Sequence, residues 1–359
     1  MSNASNISTP LSFDDEGSNE QKQKPLSFDD EGSNEQKQKP LSFDDEGMKN
    51  KILSSKMDSD KLQPNIPLVK GTKSDIINAN SNFVFFFGLP QTGKTVILSA
   101  LLYYLRTSVG ALEPKMGTEN ERDAKVLLHD ITEKIKKGVM PERTPTTQLT
   151  RLDFEFRPNN KSKKVIPIDL TFLEISGEKY LDISQEEGFR NEFDKNIAVF
   201  FRPDIKLNII IVTSFDTAER DDTVIKEFFD ELKNRGINLQ SINAVLVISK
   251  WDKSKTIGLK RKVLKKHLAD FIKNKLPMAS THLDTYGVQK TYFTIGTVIT
   301  KKIEVTRQGK KEEKLVDCIE EFNTASAKSL SNWLYKSIVG FPFDYPGTLL
   351  ERLKFSLFR

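Results

Sequence analysis

Phe83-Val84-Phe85-Phe86-Phe87-Gly88-Leu89-Pro90-Gln91-Thr92-Gly93-Lys94-Thr95-Val96-Ile97-Leu98 decides the fold. The first five residues are apolar and β-forming, and the run is short enough for a buried strand. Gly88 to Thr95 is a complete Gly-x-x-x-x-Gly-Lys-Thr loop, and Val96 to Leu105 reads as a helix. Strand, glycine loop and helix in this order aim backbone N–H groups and a helix N-terminus at one point, which is what a chain of phosphates requires. The cradle is assigned to Gly88, Leu89, Pro90, Gln91, Thr92, Gly93, Lys94, Thr95 and Val96. Lys94 is expected to reach the β- and γ-phosphates and is also a catalytic candidate. The Thr95 hydroxyl is expected to ligate Mg2+.

Downstream, the pattern continues as alternating strands and helices. Arg151 to Phe156 alternates like a half-exposed edge strand, Pro158-Asn159-Asn160 turns, and Val165 to Ile175 returns as a more buried arm. Leu207 to Thr213 and Ala244 to Ile248 are near-continuous apolar runs of the kind found in central parallel strands. Between them, Asp222 to Lys233 places Val224, Ile225, Phe228, Phe229 and Leu232 on one helical face. A further helix is expected over about 258–275, a strand at Tyr292 to Ile295, and a closing helix from Glu320 to Ile338. The fold class is α/β of the P-loop NTPase type. Its central sheet is mostly parallel with one antiparallel hairpin strand, and helices cover both faces.

The N-terminus is different in kind. Pro10-Leu11-Ser12-Phe13-Asp14-Asp15-Glu16-Gly17 and the seven residues after it recur from Pro25 to Lys39, and a third copy starts at Pro40 and stops at Gly47. One Leu and one Phe per repeat give too little apolar surface to offset ordering entropy. The expected organisation is a disordered acidic tail over 1–78, a nucleotide domain over 79–340, and a C-terminal segment over 341–359 rich in aromatic and basic residues. The repeats read either as a multivalent short motif or as an unconstrained expansion. The C-terminal segment either packs on the domain or contacts a partner or membrane surface.

Composition narrows the classes. Of 359 residues, 37% are hydrophobic, and the mean hydropathy is −0.46. The single Cys318 excludes an internal disulfide, and with only three scattered histidines it argues against a structural zinc site. No stretch has signal-peptide character or membrane-spanning length, so a cytoplasmic protein is expected. The net charge of +5 hides an asymmetry. Residues 1–47 hold eleven acids against four lysines, leaving 51 Lys and Arg against 39 acids in the rest. That basic body suits phosphate-rich partners or an acidic membrane face, or is a solvated surface. No motif supports specific nucleic-acid binding.

Three further segments fall in the order a GTPase requires. Glu174-Ile175-Ser176-Gly177 ends the returning hairpin arm, where GTPases keep Asp-x-x-Gly, whose acid holds Mg2+ through water and whose glycine N–H senses the γ-phosphate. Ser249-Lys250-Trp251-Asp252 ends an apolar strand. There Asp252 can accept hydrogen bonds from guanine N1 and N2, and the Lys250 stem can pack on the base. The competing readings of Asp252 are a helix N-cap or a turn residue. Thr294-Ile295-Gly296-Thr297 ends the last strand, where in GTPases a loop backbone touches guanine O6.

The body over about 80–340 resembles the P-loop GTPases of the translation-factor and Ras-like group. It looks most like the bacterial double-GTPase and GTPase-associated proteins of conflict and defence systems. The closer resemblance is carried by Gly88 to Thr95, Gly138-Val139-Met140-Pro141-Glu142-Arg143-Thr144, and Leu173 to Glu178. It implies a GTP/GDP-switched, Mg2+-dependent module acting with a partner protein or effector; the sequence leaves open whether GTP binding drives oligomerisation. It makes Thr144 the switch threonine on Mg2+ and γ-phosphate, with Thr146 and Thr147 as alternatives. Glu178 stands where many GTPases keep a water-orienting glutamine, and is otherwise a surface acid beside Lys179. Glu174 and Glu178 both depart from the usual residues, so slow intrinsic hydrolysis is expected. A catalytic arginine could come from a partner, or from Arg143 or Arg220 within the chain. The rival readings are a P-loop ATPase and a non-hydrolysing, nucleotide-stabilised scaffold.

Overall fold

The computed structural model describes residues 78–141, 150–160, 162–174, 199–202, 204–234, 236–256, 258–307 and 310–348. Seven strands form one sheet in the order β2-β3-β4-β1-β5-β6-β7. They are β1 (Asn82–Phe87), β2 (Gly110–Pro114), β3 (Thr150–Pro158), β4 (Ile168–Glu174), β5 (Leu207–Ser214), β6 (Asn243–Ser249) and β7 (Gln289–Tyr292). β4, β1, β5, β6 and β7 are parallel, and β3 runs antiparallel between β2 and β4. The chain leaves β1 toward β2, β3 and β4, then returns to build β5, β6 and β7 on the other side. The reversal puts a crevice at the C-terminal end of β1, where open α/β sheets bind ligands.

Alternation along each strand sorts the core into two layers. Phe83, Phe85 and Phe87 join Ile209, Ile211, Leu246 and Ile248 on one face. Helices α3 (Ala218–Asn234), α4 (Arg261–Lys275) and α5 (Pro277–Thr285) cover that face with residues including Phe228, Leu268 and Leu283. Val84 and Phe86 point the other way, with Ile210, Val212, Val245 and Val247. They are covered by α1 (Lys94–Tyr104), α2 (Glu121–Lys136) and α6 (Thr324–Val339). The five apolar residues before the phosphate loop are thus all fully buried, three on one face and two on the other.

Several elements differ from the sequence expectation. The segment between α1 and the hairpin forms an edge strand and an amphipathic helix; α2 buries Ala124, Leu128, Ile131 and Ile135 at helical spacing. Strand β7 ends at Tyr292, before Ile295. The largest correction concerns 296–322, which forms a two-stranded hairpin of β8 (Gly296–Arg307) and β9 (Lys310–Phe322). The closing helix therefore begins at Thr324 rather than Glu320. The Asn323 side chain caps it, accepting from the backbone N–H groups of Ala325 and Ser326 at 2.9 and 3.2 Å. The hairpin base is tied to the end of α2, where the Ile319 N–H donates to the Gly138 carbonyl at 2.7 Å.

Residues 341–348 lie on the domain. Phe343 is buried among Tyr104 and Tyr335, and the Asn160 amide donates to the carbonyls of Phe343 and Tyr345, both at 2.8 Å. The repeats within 1–77 and the chain from 349 lie outside the described residues. No described helix is long and apolar enough to cross a membrane.

Candidate functional site at the C-terminal end of β1

The loop after β1 is held in its shape by backbone geometry. Gly88 has φ +156°, and a Cβ there would sit 2.2 Å from the Val212 carbonyl oxygen of β5, so no side chain fits. Gly93 adopts the left-handed conformation, φ +92°, and is the N-cap of α1. Having no side chain, it gives α1 no side-chain cap, and no acid lies in the first turn. The helix dipole therefore favours negative charge at this end of α1.

Two of the loop's polar side chains, Thr92 and Lys94, are buried, while Gln91 is exposed. Thr92 is fully buried and its hydroxyl donates to the Leu89 carbonyl at 2.9 Å. Lys94 is only 7% exposed, and its ammonium donates to the carbonyls of Gly88 at 2.6 Å and Leu89 at 3.1 Å. Thr95, one residue on, donates its hydroxyl to Glu174 Oε1 at 2.7 Å. Glu174 ends β4, is paired in register with Phe86 of β1, and is 3% exposed. Two residues separated by 79 positions in sequence, and singled out independently, thus meet beside the N-terminus of α1.

At the end of β6 the Ser249 hydroxyl donates to the Thr92 carbonyl at 2.5 Å, tying the two loops together. The same side chain fills the space beside Gly93, where a Cβ would lie 3.3 Å from Ser249 Oγ. Lys250 is left-handed at φ +53°, with its ammonium 3.8 Å from Asp216, which Lys253 also pairs. Trp251 is buried against Tyr292, Phe215 and Phe271. Asp252 lies exposed on a short 3-10 turn, Trp251–Ser254; its carbonyl accepts from the Lys255 N–H at 3.4 Å, while its carboxylate has no hydrogen bond or ion pair among the described residues. Thr294 and Ile295 are buried at the start of the β8 hairpin.

Sequence reasoning missed two features here. One is the Ser249 tie to Thr92. The other is Asp221 on α3, 1% exposed, which accepts from Thr213 Oγ1 at 2.6 Å and Thr217 Oγ1 at 3.0 Å. Burial raises its pKa above the ordinary carboxylate value. Thr144, Gly177 and Glu178 lie outside the described residues. A cavity of about 830 Å³ opens elsewhere, between α4, β7 and α6, and none of its lining residues belongs to the phosphate loop.

Comparison with known proteins gives a family likeness over part of the chain. Residues 85–200 match the Double-GTPase 1 family model. The matched stretch contains Gly88 to Thr95 and Glu174, so the resemblance to P-loop GTPases of the double-GTPase type is shown there. It stops before Ser249 to Asp252. No curated protein matches the chain. Among solved structures the chain is similar to that of Methanosarcina barkeri Roco2 RocCORdC bound to GDP. The identity is 15% and the TM-score 0.28, over 60% of this chain and 42% of that one. The chain thus spans less than half the length of that protein, and a likeness of this size adds nothing to the fold read from the strands.

Proposed function

We propose that the chain is a cytoplasmic, Mg2+-dependent guanine-nucleotide switch that hydrolyses GTP slowly and acts on a protein effector. The observation that carries the reading is the meeting of Thr95 and Glu174 at 2.7 Å, beside the inward-turned Lys94. A hydroxyl and a carboxylate oxygen suit Mg2+, which takes one or two protein oxygens and completes its octahedron with water and phosphate oxygens. Mg2+ held there would neutralise charge on the β- and γ-phosphate oxygens. Lys94 and the N–H groups from Gly88 to Val96 bind and orient the phosphates. Asp252 accepts from guanine N1 and N2, the Lys250 stem packs on the base, and Ser249 holds the two loops in register.

The family resemblance adds Thr144 as a switch residue on the metal and γ-phosphate, Gly177 as the γ-phosphate sensor and Glu178 as the residue that orients water. It also supports a role in bacterial defence or regulation. Phosphate release from GTP and from ATP by the full chain with Mg2+, alongside binding of GDP and ADP, tests the reading. Turnover of GTP with guanine preferred in binding is expected. Faster release from ATP would make the chain an ATPase, and tight binding without turnover would make it a scaffold.

A further inference from the structure

Arg220 lies on the first turn of α3, 130 residues from the phosphate loop, yet its Nη2 donates to the Pro90 carbonyl at 3.4 Å. Its Nε is held by Asp221 Oδ1 at 3.2 Å. The other oxygen of Asp221 is fixed by the hydroxyls of Thr213 and Thr217, and the Thr217 hydroxyl lies 2.9 Å from Ser214 Oγ. One edge of the guanidinium is thus clamped by a buried carboxylate while the other reaches the loop tip. The Arg220 side chain is 52% exposed, against 2% for Asp221, so the charge stands at the mouth of the site.

Taken with Lys94, the pattern is specific. Three successive carbonyls, Gly88, Leu89 and Pro90, hold two cationic groups, Lys94 on the first two and Arg220 on the third. The loop itself contains no acid. An arginine serving only as a surface tie would gain more from a carboxylate on its second edge than from a neutral carbonyl. Two cations gathered on a loop shaped for phosphates fit an anion whose charge is greatest at that end.

We propose that Arg220 is a catalytic arginine supplied from within the chain, contacting the γ-phosphate of GTP bound at the loop. Asp221 is its positioning residue. This rests on the reading of the site as a GTP site. In the step it serves, a water oxygen bonds to the γ-phosphorus as the bond from that phosphorus to the β–γ bridging oxygen breaks. The bridging oxygen leaves with the bonding pair as part of GDP, and the proton lost by the water passes to the released phosphate and solvent. Negative charge grows on the bridging oxygen, where a planar guanidinium with two aligned donors is worth more than a point charge. With its arginine in place, turnover on the order of 10⁻² s⁻¹ is expected, the scale of GTPases that carry one in cis.

The test is single-turnover GTP hydrolysis by full-length Arg220→Ala and Arg220→Lys, with GDP affinity and formation of the GDP–aluminium fluoride complex measured in parallel. Turnover should fall about a hundredfold or more in both variants. GDP affinity should stay within about twofold of wild type, the fluoride complex should be lost, and added guanidinium ion should restore part of the rate in Arg220→Ala. Should Arg220→Ala fail to fold, Arg220→Lys carries the same test, because it keeps a cation beside Asp221. Turnover within about threefold of wild type, or GDP affinity lost in proportion to rate, would overturn the proposal and leave Arg220 a structural tie. Wild-type protein that binds GDP but neither hydrolyses GTP nor forms the fluoride complex would overturn the underlying reading and this inference with it.

Discussion

The loop after β1 and the turn after β6 are built on opposite principles. At the first, Thr92, Lys94 and Glu174 are all buried and hydrogen-bonded within the protein. At the second, only the scaffold is buried: Trp251 anchors the turn among aromatic rings, and the exposed Asp252 carboxylate has no partner among the described residues. A preorganised loop spends little free energy on ordering when an anion arrives, so phosphate binding should be strong whatever base is attached. On the proposed reading, the exposed Asp252 carboxylate on its fixed turn contributes by choosing between bases. Affinity should therefore reside at β1 and selectivity at β6.

Substitutions at the β1 loop should produce the largest losses. Lys94→Ala removes the buried ammonium and should weaken both GDP and GTP by about ten- to a hundredfold, from the 1.5–3 kcal/mol typical of a hydrogen bond to a charged group. Calorimetric titration checks this; equal affinity in the variant would remove the loop from the account. Thr95→Ala comes next. Its expected signature is loss of the Mg2+ dependence of nucleotide affinity, with affinity in chelator changing less than about threefold. If Mg2+ still strengthens binding as in wild type, Thr95 and Glu174 do not form the metal site.

Ser249→Ala should have the smallest effect, since it deletes one neutral hydrogen bond between the two loops. About 1 kcal/mol is at stake, or roughly fivefold in affinity. Because Ser249 bonds to the phosphate loop and not to the base, guanine and adenine nucleotides should weaken by the same factor. A change in their ratio would show that the two ends are not separable as described.

The phosphate end was legible because all its chemistry sits within eight consecutive residues whose spacing is dictated by one loop shape. Glu174 was legible through its place at a strand end, although its contact with Thr95 needs the parallel pairing of β1 with β4. The β8–β9 hairpin was not. Its β-branched residues Val298, Ile299, Ile303 and Val305 lie among charges, and the apolar periodicity of Val316 and Ile319 blends into that of α6. Asn323, the N-cap, was the available marker of where the helix starts. Arg220 had no local signal directing it to Pro90, because the contact exists only once α3 has packed behind β5. Its neighbour Asp221 lies just before the helix read from the sequence at Asp222; the helix starts at Ala218 instead, and the fold buries Asp221.

The most direct test of the division between affinity and selectivity is competition among GDP, ADP and xanthosine diphosphate for wild-type protein and Asp252→Asn, with Mg2+ present. The account predicts that wild type prefers GDP, and that Asp252→Asn loses this preference and accepts the xanthine nucleotide while binding of ADP is unchanged. Adenine preference in the wild type, or a guanine preference that survives the substitution, would contradict it and remove Asp252 from base recognition.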